Sequence, residues 1–298
     1  MKKLFYGVGI VAMLTFGVTS CEQLEFVNIN NSEMLECDGI EMTFTISSIE
    51  QISFDDEKAG TRATHDITEL CSRITLAFFQ DGKKIKTINK KETDDDFGTL
   101  QTTLPAGEYR FVVIAHNGNG NPTITSLEEI TFNGTVTMTD TFYYYGELDV
   151  SEPQDMSLAL KRAVAMVRFV VSDNVPEEVT RMKFYYTGGS STFNAVTGFG
   201  SKDSRQTEYR DVAEAAHSGE SHYDIYTFPH ATEGVLKITV TPQTVDDDYT
   251  DRVFENIPVK INQITKFTGK FFENTQKPGE FRATMTTNNE WEEEELSY

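Results

Sequence analysis

From about residue 40 onward the chain alternates, with β-branched and aromatic residues at every second position over short runs and polar residues between them. A period of two predicts strands, and strands that are apolar on one side only predict antiparallel sheets packed face to face. A first set of predicted strands covers residues 42–46, 73–79, 84–88, 99–104, 109–115, 135–138, 142–145 and 156–160. A second covers 163–171, 181–186, 223–227, 235–241, 259–261, 264–272 and 281–285. Helical periodicity is nearly absent, and only residues 211–217 read as one short surface helix. Asp81-Gly82 predicts a tight hairpin, because a two-residue turn of the primed type needs positive φ. The polar, proline-bearing stretch Ser151-Glu152-Pro153-Gln154 separates the two sets and is where the pattern places a domain boundary. About seven strands on each side suffice for a sandwich apiece. The expected fold is all-β: one sandwich over 37–153 and a second over 154–298 ending in an acidic tail.

The N-terminus departs from this pattern. Lys2 and Lys3 precede an uncharged apolar run over residues 4–18, shorter than the roughly 20 residues of a membrane-spanning helix and of the size of a secretory signal. Val18-Thr19-Ser20-Cys21 then fits the bacterial lipobox, in which the cysteine is acylated and becomes the new N-terminus. Residues 1–20 are therefore expected to be a lipoprotein signal peptide, Cys21 the lipid anchor, and 21–36 a polar tether. Several acyl chains hold a protein on a membrane far better than one, at about 0.8 kcal/mol per buried CH2. The expected location is the outer membrane, with the body at the cell surface.

The chain has 298 residues and 26 Lys+Arg against 47 Asp+Glu, a formal charge of −21. Removing Lys2 and Lys3 with the signal gives 24 − 47 = −23. Such a body repels phosphate backbones, which excludes nucleic acid as an expected partner. With Cys21 acylated, Cys37 and Cys71 remain as a pair in an exported protein. A disulfide between them is permitted and would close a loop worth about 3 to 4 kcal/mol, while two buried free thiols are the other reading.

Signatures of catalysis are missing: there is no HExxH, no GxSxG, no phosphate-binding loop and no CxxC. No enzyme, cofactor or metal is expected. His217 and His222 are five apart but lack a third ligand at a telling spacing, and read as solvated loop histidines. The acidic runs 94–96 and 246–248 lack the alternating ligand positions of a calcium loop and read as hairpin tips. Tyr143, Tyr144 and Tyr145, with Tyr185 and Tyr186, either pack in the strands or form a sugar-stacking platform, and packing is favoured. Trp291, before the run of glutamates 292–295, reads as a lid on the last sandwich or as part of a partner-binding tail.

Several of these segments, taken in order, resemble one family. They are the lipobox at Cys21, FFQDGKK at 78–84, LPAGEYRFVVIAHNG at 104–118, FYYYGELDV at 142–150, LALKRAVAMVRFVV at 158–171, FYYTGGSSTFNAVTG at 184–198 and IPVKINQITKFTGKFF at 257–272. Together they resemble the fimbrillin-type fimbrial subunits and anchors of Bacteroidetes, lipoproteins of two tandem transthyretin-like sandwiches. The resemblance implies a structural fimbrial subunit, of anchor or accessory type, supporting adhesion to a host or bacterial surface. It also implies other fimbrial subunits as partners, joined by strand addition, in which an open sheet edge is completed by a neighbour's strand. Polymerising members lose an N-terminal strand to an arginine-specific protease; Arg62, in the turn-like stretch 58–64 after the first strand, is either such a cut or part of an ordinary surface loop. A Cys37–Cys71 bond would retain that strand after the cut and favour an uncut anchor. The alternative is a surface glycan-binding lipoprotein using the tyrosines.

Overall fold

The computed structural model describes residues 39–50, 67–132, 137–245, 249–272 and 282–286. Cys21, Cys37, Arg62, the acidic run 246–248 and Trp291 lie outside them. Among the described residues the fold is nearly all strand, as the alternation predicts.

The first sandwich comprises β1 (Ile40–Glu50), β2 (Arg73–Gln80), β3 (Lys83–Lys91), β4 (Thr99–Leu104) and β5 (Gly107–His116), then the short β6 (Thr123–Ile124) and β7 (Ile130–Thr131), and finally β8 (Thr141–Val150) and β9 (Gln154–Arg162). Its main sheet runs β3-β2-β5-β8-β9-β1-β4. β8 and β9 share only Phe142↔Arg162 and Tyr143↔Lys161, so the sheet folds there into two layers, β3-β2-β5-β8 and β9-β1-β4. Phe44 of β1 meets Phe78 and Phe111 across the layers, at ring-centroid distances of 5.4 and 5.3 Å. The hairpin at Asp81-Gly82 has the expected positive φ, +50° and +74°.

The second sandwich follows after only Ala163 and Val164, both buried. It comprises β10 (Ala165–Val171), β11 (Arg181–Gly189), the short β12 (Thr192–Asn194) and β13 (Phe199–Gly200), β14 (Ser204–Asp211), β15 (Ser221–Thr227), β16 (Glu233–Gln243), β17 (Arg252–Lys260), β18 (Ile264–Gly269) and β19 (Arg282–Thr286). Its layers are β14-β11-β16-β17 and β15-β10-β18-β19. Setting aside the short strands and β19, the two sandwiches have the same order: the second strand pairs the third and fifth, the fifth pairs the sixth, and the first lies between the fourth and seventh. No internal sequence repeat announces this duplication.

The structure differs from the sequence expectation in several places. The strand at 154–162, expected beyond the boundary at residue 153, pairs with β1 in the first sheet. The polar turn at 151–153 only reverses the chain, and Leu158 and Leu160 complete the first core. Not every pairing is antiparallel, because β1 with β9 and β10 with β18 are parallel, the first and seventh strands of the shared order lying side by side. β14 was not among the predicted strands, and residues 214–217 form a 3-10 turn where a helix over 211–217 was expected. Met138, expected in a strand, lies in none.

A small sheet joins the halves. Its order is β13-β12-β7-β6, two strands from each half, with Thr192 opposite Thr131 and Phe193 opposite Ile130. Beneath it lies a core of its own, in which Phe79, Val112 and Ile114 of the first sandwich meet Val164, Met166, Phe193, Phe228 and Ile264 of the second. β2 and β5 are therefore buried on both faces, which explains why RITLAFF and FVVIA read as almost unbroken apolar runs.

Candidate functional site

Three regions have the geometry to carry function: the junction, a cleft beside β14, and the outward face of the β14-β11-β16-β17 layer. At the junction, Arg162 ends β9 with 6% of its surface exposed. Its Nε and Nη2 donate to the two carboxylate oxygens of Asp140, each at 2.8 Å, and its Nη1 donates to Asn262 Oδ1 at 2.6 Å. Its guanidinium also lies 4.9 Å from the Phe142 ring centroid. A fork held this way is fixed in direction, and it ties the loop before β8 to the β17–β18 turn. Nearby, His116 is fully buried, accepts the Gly118 N–H at Nδ1 (3.0 Å) and meets Phe132 edge-on at 5.3 Å. Burial, aided by the charge of Arg73, lowers its pKa from 6.5 to about 4, so the ring is neutral at physiological pH.

The cleft beside β14 encloses about 340 Å3. Phe132 and Met138 come from the first half, and Ser191 with residues 205–210 from the second. β14 alternates strictly. Gln206, Glu208 and Arg210 turn toward the buried Tyr186, whose hydroxyl lies 2.7 Å from Glu208 Oε1 and 3.0 Å from Gln206 Oε1. Burial, and then the Glu208 charge, raise the Tyr186 pKa well above its ordinary value. Arg210 is consumed by its ion pair with Glu208 and by donation to the Asp224 carbonyl. Arg205, Thr207, Tyr209 and Asp211 point outward. Arg205 makes no hydrogen bond or ion pair among the described residues and stands free at the cleft mouth.

The outward face continues this row. Across β11, Arg181 lies opposite Asp211, Lys183 opposite Tyr209 and Tyr185 opposite Thr207. Tyr209 is 48% exposed and Tyr185 38%, and Val253 and Val235 are exposed further along. The Arg181 guanidinium lies 4.7 Å from the Tyr209 ring centroid and donates to Gln243 at 2.8 Å. A larger depression of about 530 Å3 lies at the far pole of the first sandwich, between the Asp81-Gly82 hairpin and the ends of β5 and β8. Its charged lining is mostly acidic, with Asp81, Glu108, Glu147 and Asp149 around Arg110, and offers an incoming group little but repulsion for anions.

The residues singled out in the sequence are dispersed. Cys71, after the short helix Ile67–Leu70, is buried, and burial followed by the Asp140 charge pushes the pKa of its thiol form up. Its expected partner Cys37 is outside the described residues. Tyr143 and Tyr145 pack on the shared core and Tyr144 on the first core, so this run presents no platform, and Tyr186 is buried. His217 is tied to the Val175 carbonyl at 2.9 Å, and His222 sits in β15. Asp94 and Asp96 form a turn, with Asp96 paired to Lys90. Among the described residues no cluster of three His, Cys, Asp or Glu could hold a metal. Nor, among them, is any helix long and apolar enough to cross a membrane. Arg162, Arg205 and Tyr209 were not singled out in the sequence. The signal available for the last two was the alternation of SRQTEYRD, which has no apolar side to reveal a strand.

A sequence model described as a family of unknown function (DUF6562) matches residues 36–297. No curated protein matches the chain. Among solved structures, the fold is shared with a candidate polysaccharide-binding protein from Bacteroides thetaiotaomicron. The TM-score is 0.50 at 11% identity, over 87% of this chain and 98% of that one. A candidate adhesin from Bacteroides ovatus superposes with TM-score 0.46 at 15% identity, over 77% of this chain and 88% of that one. The fimbrial anchor protein Mfa2 from Porphyromonas gingivalis superposes with TM-score 0.42 at 9% identity, over 83% and 95%.

Proposed function

The chain belongs to the DUF6562 family, and we propose that it is a non-enzymatic, fimbrial-type cell-surface adhesion protein, held in the outer membrane by lipid on Cys21 and acting as an anchor or accessory subunit. The observation that carries this reading is the way the two sandwiches are joined. Same-order sandwiches meet through a shared core, a four-stranded sheet drawn from both halves and the Arg162–Asp140–Asn262 contact. Force applied at one end passes to the other through packed strands, as a surface scaffold requires. Among the described residues the outer strands β3, β4, β14 and β17 each pair on one side only, which leaves edges of the kind strand addition uses.

Ile40 pairs with Leu104, and Met42 with Gln154, at the pole that also carries the Asp81-Gly82 hairpin, opposite the junction at Arg162. Arg62 is the proposed processing position and Cys37–Cys71 the proposed bond that would hold the first strand after a cut.

The test is the intact mass of protein recovered from outer-membrane preparations, with and without an arginine-specific protease and under reducing and non-reducing conditions. An acylated species starting at Cys21 and recovered with fimbriae is expected. An unlipidated species starting at Ala63 would make it a polymerising subunit instead, and absence from fimbrial fractions would remove the fimbrial role.

A further inference from the structure

We infer that the outward face of β14 and β11, at the mouth of the 340 Å3 cleft, is a binding site for an acidic glycan. This goes beyond the fimbrial reading and does not depend on it. The inference starts from charge. The chain carries −21, yet this patch sets Arg181, Lys183 and Arg205 against Asp211, while the nearby carboxylates of Asp203 and Glu208 are paired with His230 and Arg210. A local positive field on an acidic body selects anions that the rest of the surface repels.

The aromatic positions narrow the class. Tyr209 and Tyr185 stand on neighbouring strands one diagonal step apart, because Tyr185 faces Thr207 and Thr207 is two residues from Tyr209. Diagonal neighbours on a sheet face are about 7–8 Å apart. Two exposed rings with a threonine hydroxyl between them suit a ligand whose C–H faces stack while its hydroxyls hydrogen-bond. A protein partner would call for a continuous apolar centre, whereas here cations and hydroxyls interrupt the rings.

The cations are placed for carboxylate or sulfate groups along the same track. Arg181 is held by Gln243 and by the Tyr209 ring, so its fork is set in direction before any ligand arrives. Arg205, at the other end of the row, has no protein partner among the described residues and flanks the apolar floor of Phe132 and Met138. The cleft volume falls within the range of about 300–1,000 Å3 typical of small-ligand sites.

The experiment is calorimetric titration of the full mature chain with tetragalacturonic acid, with a heparin tetrasaccharide and with neutral cellotetraose. Saturable binding of at least one acidic probe is expected, weakening as salt rises and at least tenfold tighter than cellotetraose. Arg205→Gln and Tyr209→Ala are each expected to weaken it tenfold or more without moving the melting temperature, since both side chains are exposed. Lys83→Gln, on β3 of the other sandwich, should leave binding unchanged. The two acidic probes separate carboxylate from sulfate recognition. Absence of binding by both acidic probes, equal binding of cellotetraose, or unaltered affinity in both site variants would each overturn the inference.

Discussion

The two sandwiches share one strand order and differ in what lies on the outside of the four-stranded layer. In the first, the outward residues of β2 and β5, Ala77, Phe79, Val112 and Ile114, are buried under the joining sheet. In the second, the corresponding residues of β11 and β16 include Lys183, Tyr185, Lys237 and Thr239, and Lys237 reaches across to Glu255 on β17. One topology thus serves as an inner wall in one copy and as an exposed face in the other. The difference resides in alternate side chains, not in the path of the backbone, because successive residues of a strand point to opposite faces.

Placing the same charge at matched positions is the strongest way to break the comparison. Val112 lies between Ala77 and Tyr145, and Thr239 lies between Tyr185 and Val253, the same place in each layer. Val112→Lys buries an ammonium among apolar side chains, and we expect it to cost more than about 4 kcal/mol and to prevent folding at 37 °C. Thr239→Lys, at a half-buried position whose neighbours Tyr185 and Val253 are exposed, should cost no more than about 1 kcal/mol. Urea unfolding of both variants decides it, and similar losses would mean that the second face is also covered in solution.

The next largest effect belongs to the junction. Arg162→Ala removes one partner of a buried ion pair and leaves Asp140 and Asn262 without its donors, a change that typically costs about 3–5 kcal/mol. A matching deletion in the second sandwich, Arg168→Ala, breaks its bidentate pair with Asp224, whose side chains are 34% and 27% exposed. That loss should be near 1 kcal/mol, because solvent screens the pair. Comparable losses in the two variants would show that the junction does not depend on Arg162.

These contrasts also mark how far the sequence could be read. The strands with one apolar side, such as Arg181–Gly189, and those buried on both sides, such as Arg73–Gln80, were legible because burial writes itself into period two or into an unbroken apolar run. β14 was not legible, since its inward residues Gln206, Glu208 and Arg210 answer a tyrosine hydroxyl and a carbonyl instead of a hydrophobic core. The joining strands β6, β7, β12 and β13 have two or three residues each, too few to show a period. The parallel pairings were hidden for another reason. Which strands become neighbours is set by the whole chain path, and the first and seventh strands of the shared order carry no local mark of meeting. For the candidate site, Tyr185 was visible as an aromatic in a strand, but only the register with β14 places Tyr209 and Arg205 beside it.

A third test uses acidity, since His116 sits where the covered first sandwich meets the joining loops. Its pKa is near 4 when folded and about 6.5 when unfolded, so the unfolded chain binds the extra proton first as pH falls. Its contribution is therefore complete above about pH 6.5 and is lost between there and about pH 4, in total on the order of 3 kcal/mol. His116→Asn, which can still accept the Gly118 N–H, should flatten that part of the stability profile. An unchanged slope between pH 6.5 and 4 would mean that the imidazole takes up its proton without opening the core.

The smallest effect probes how closely the second half is fitted onto the first. Gly198 has φ of +79°, and a Cβ there would overlap the hydroxyl of Tyr143, which reaches across from β8. Gly198→Ala should cost about 1–2 kcal/mol, one part from the left-handed backbone and the other from the clash. The parts separate in the background of Tyr143→Phe, which removes the hydroxyl while its ring still meets Phe193. There the alanine should cost only the backbone share, about 1 kcal/mol. If both backgrounds lose the same amount, the β12–β13 turn can lift away from the first sandwich without penalty, and the two halves are joined less tightly than the shared core implies.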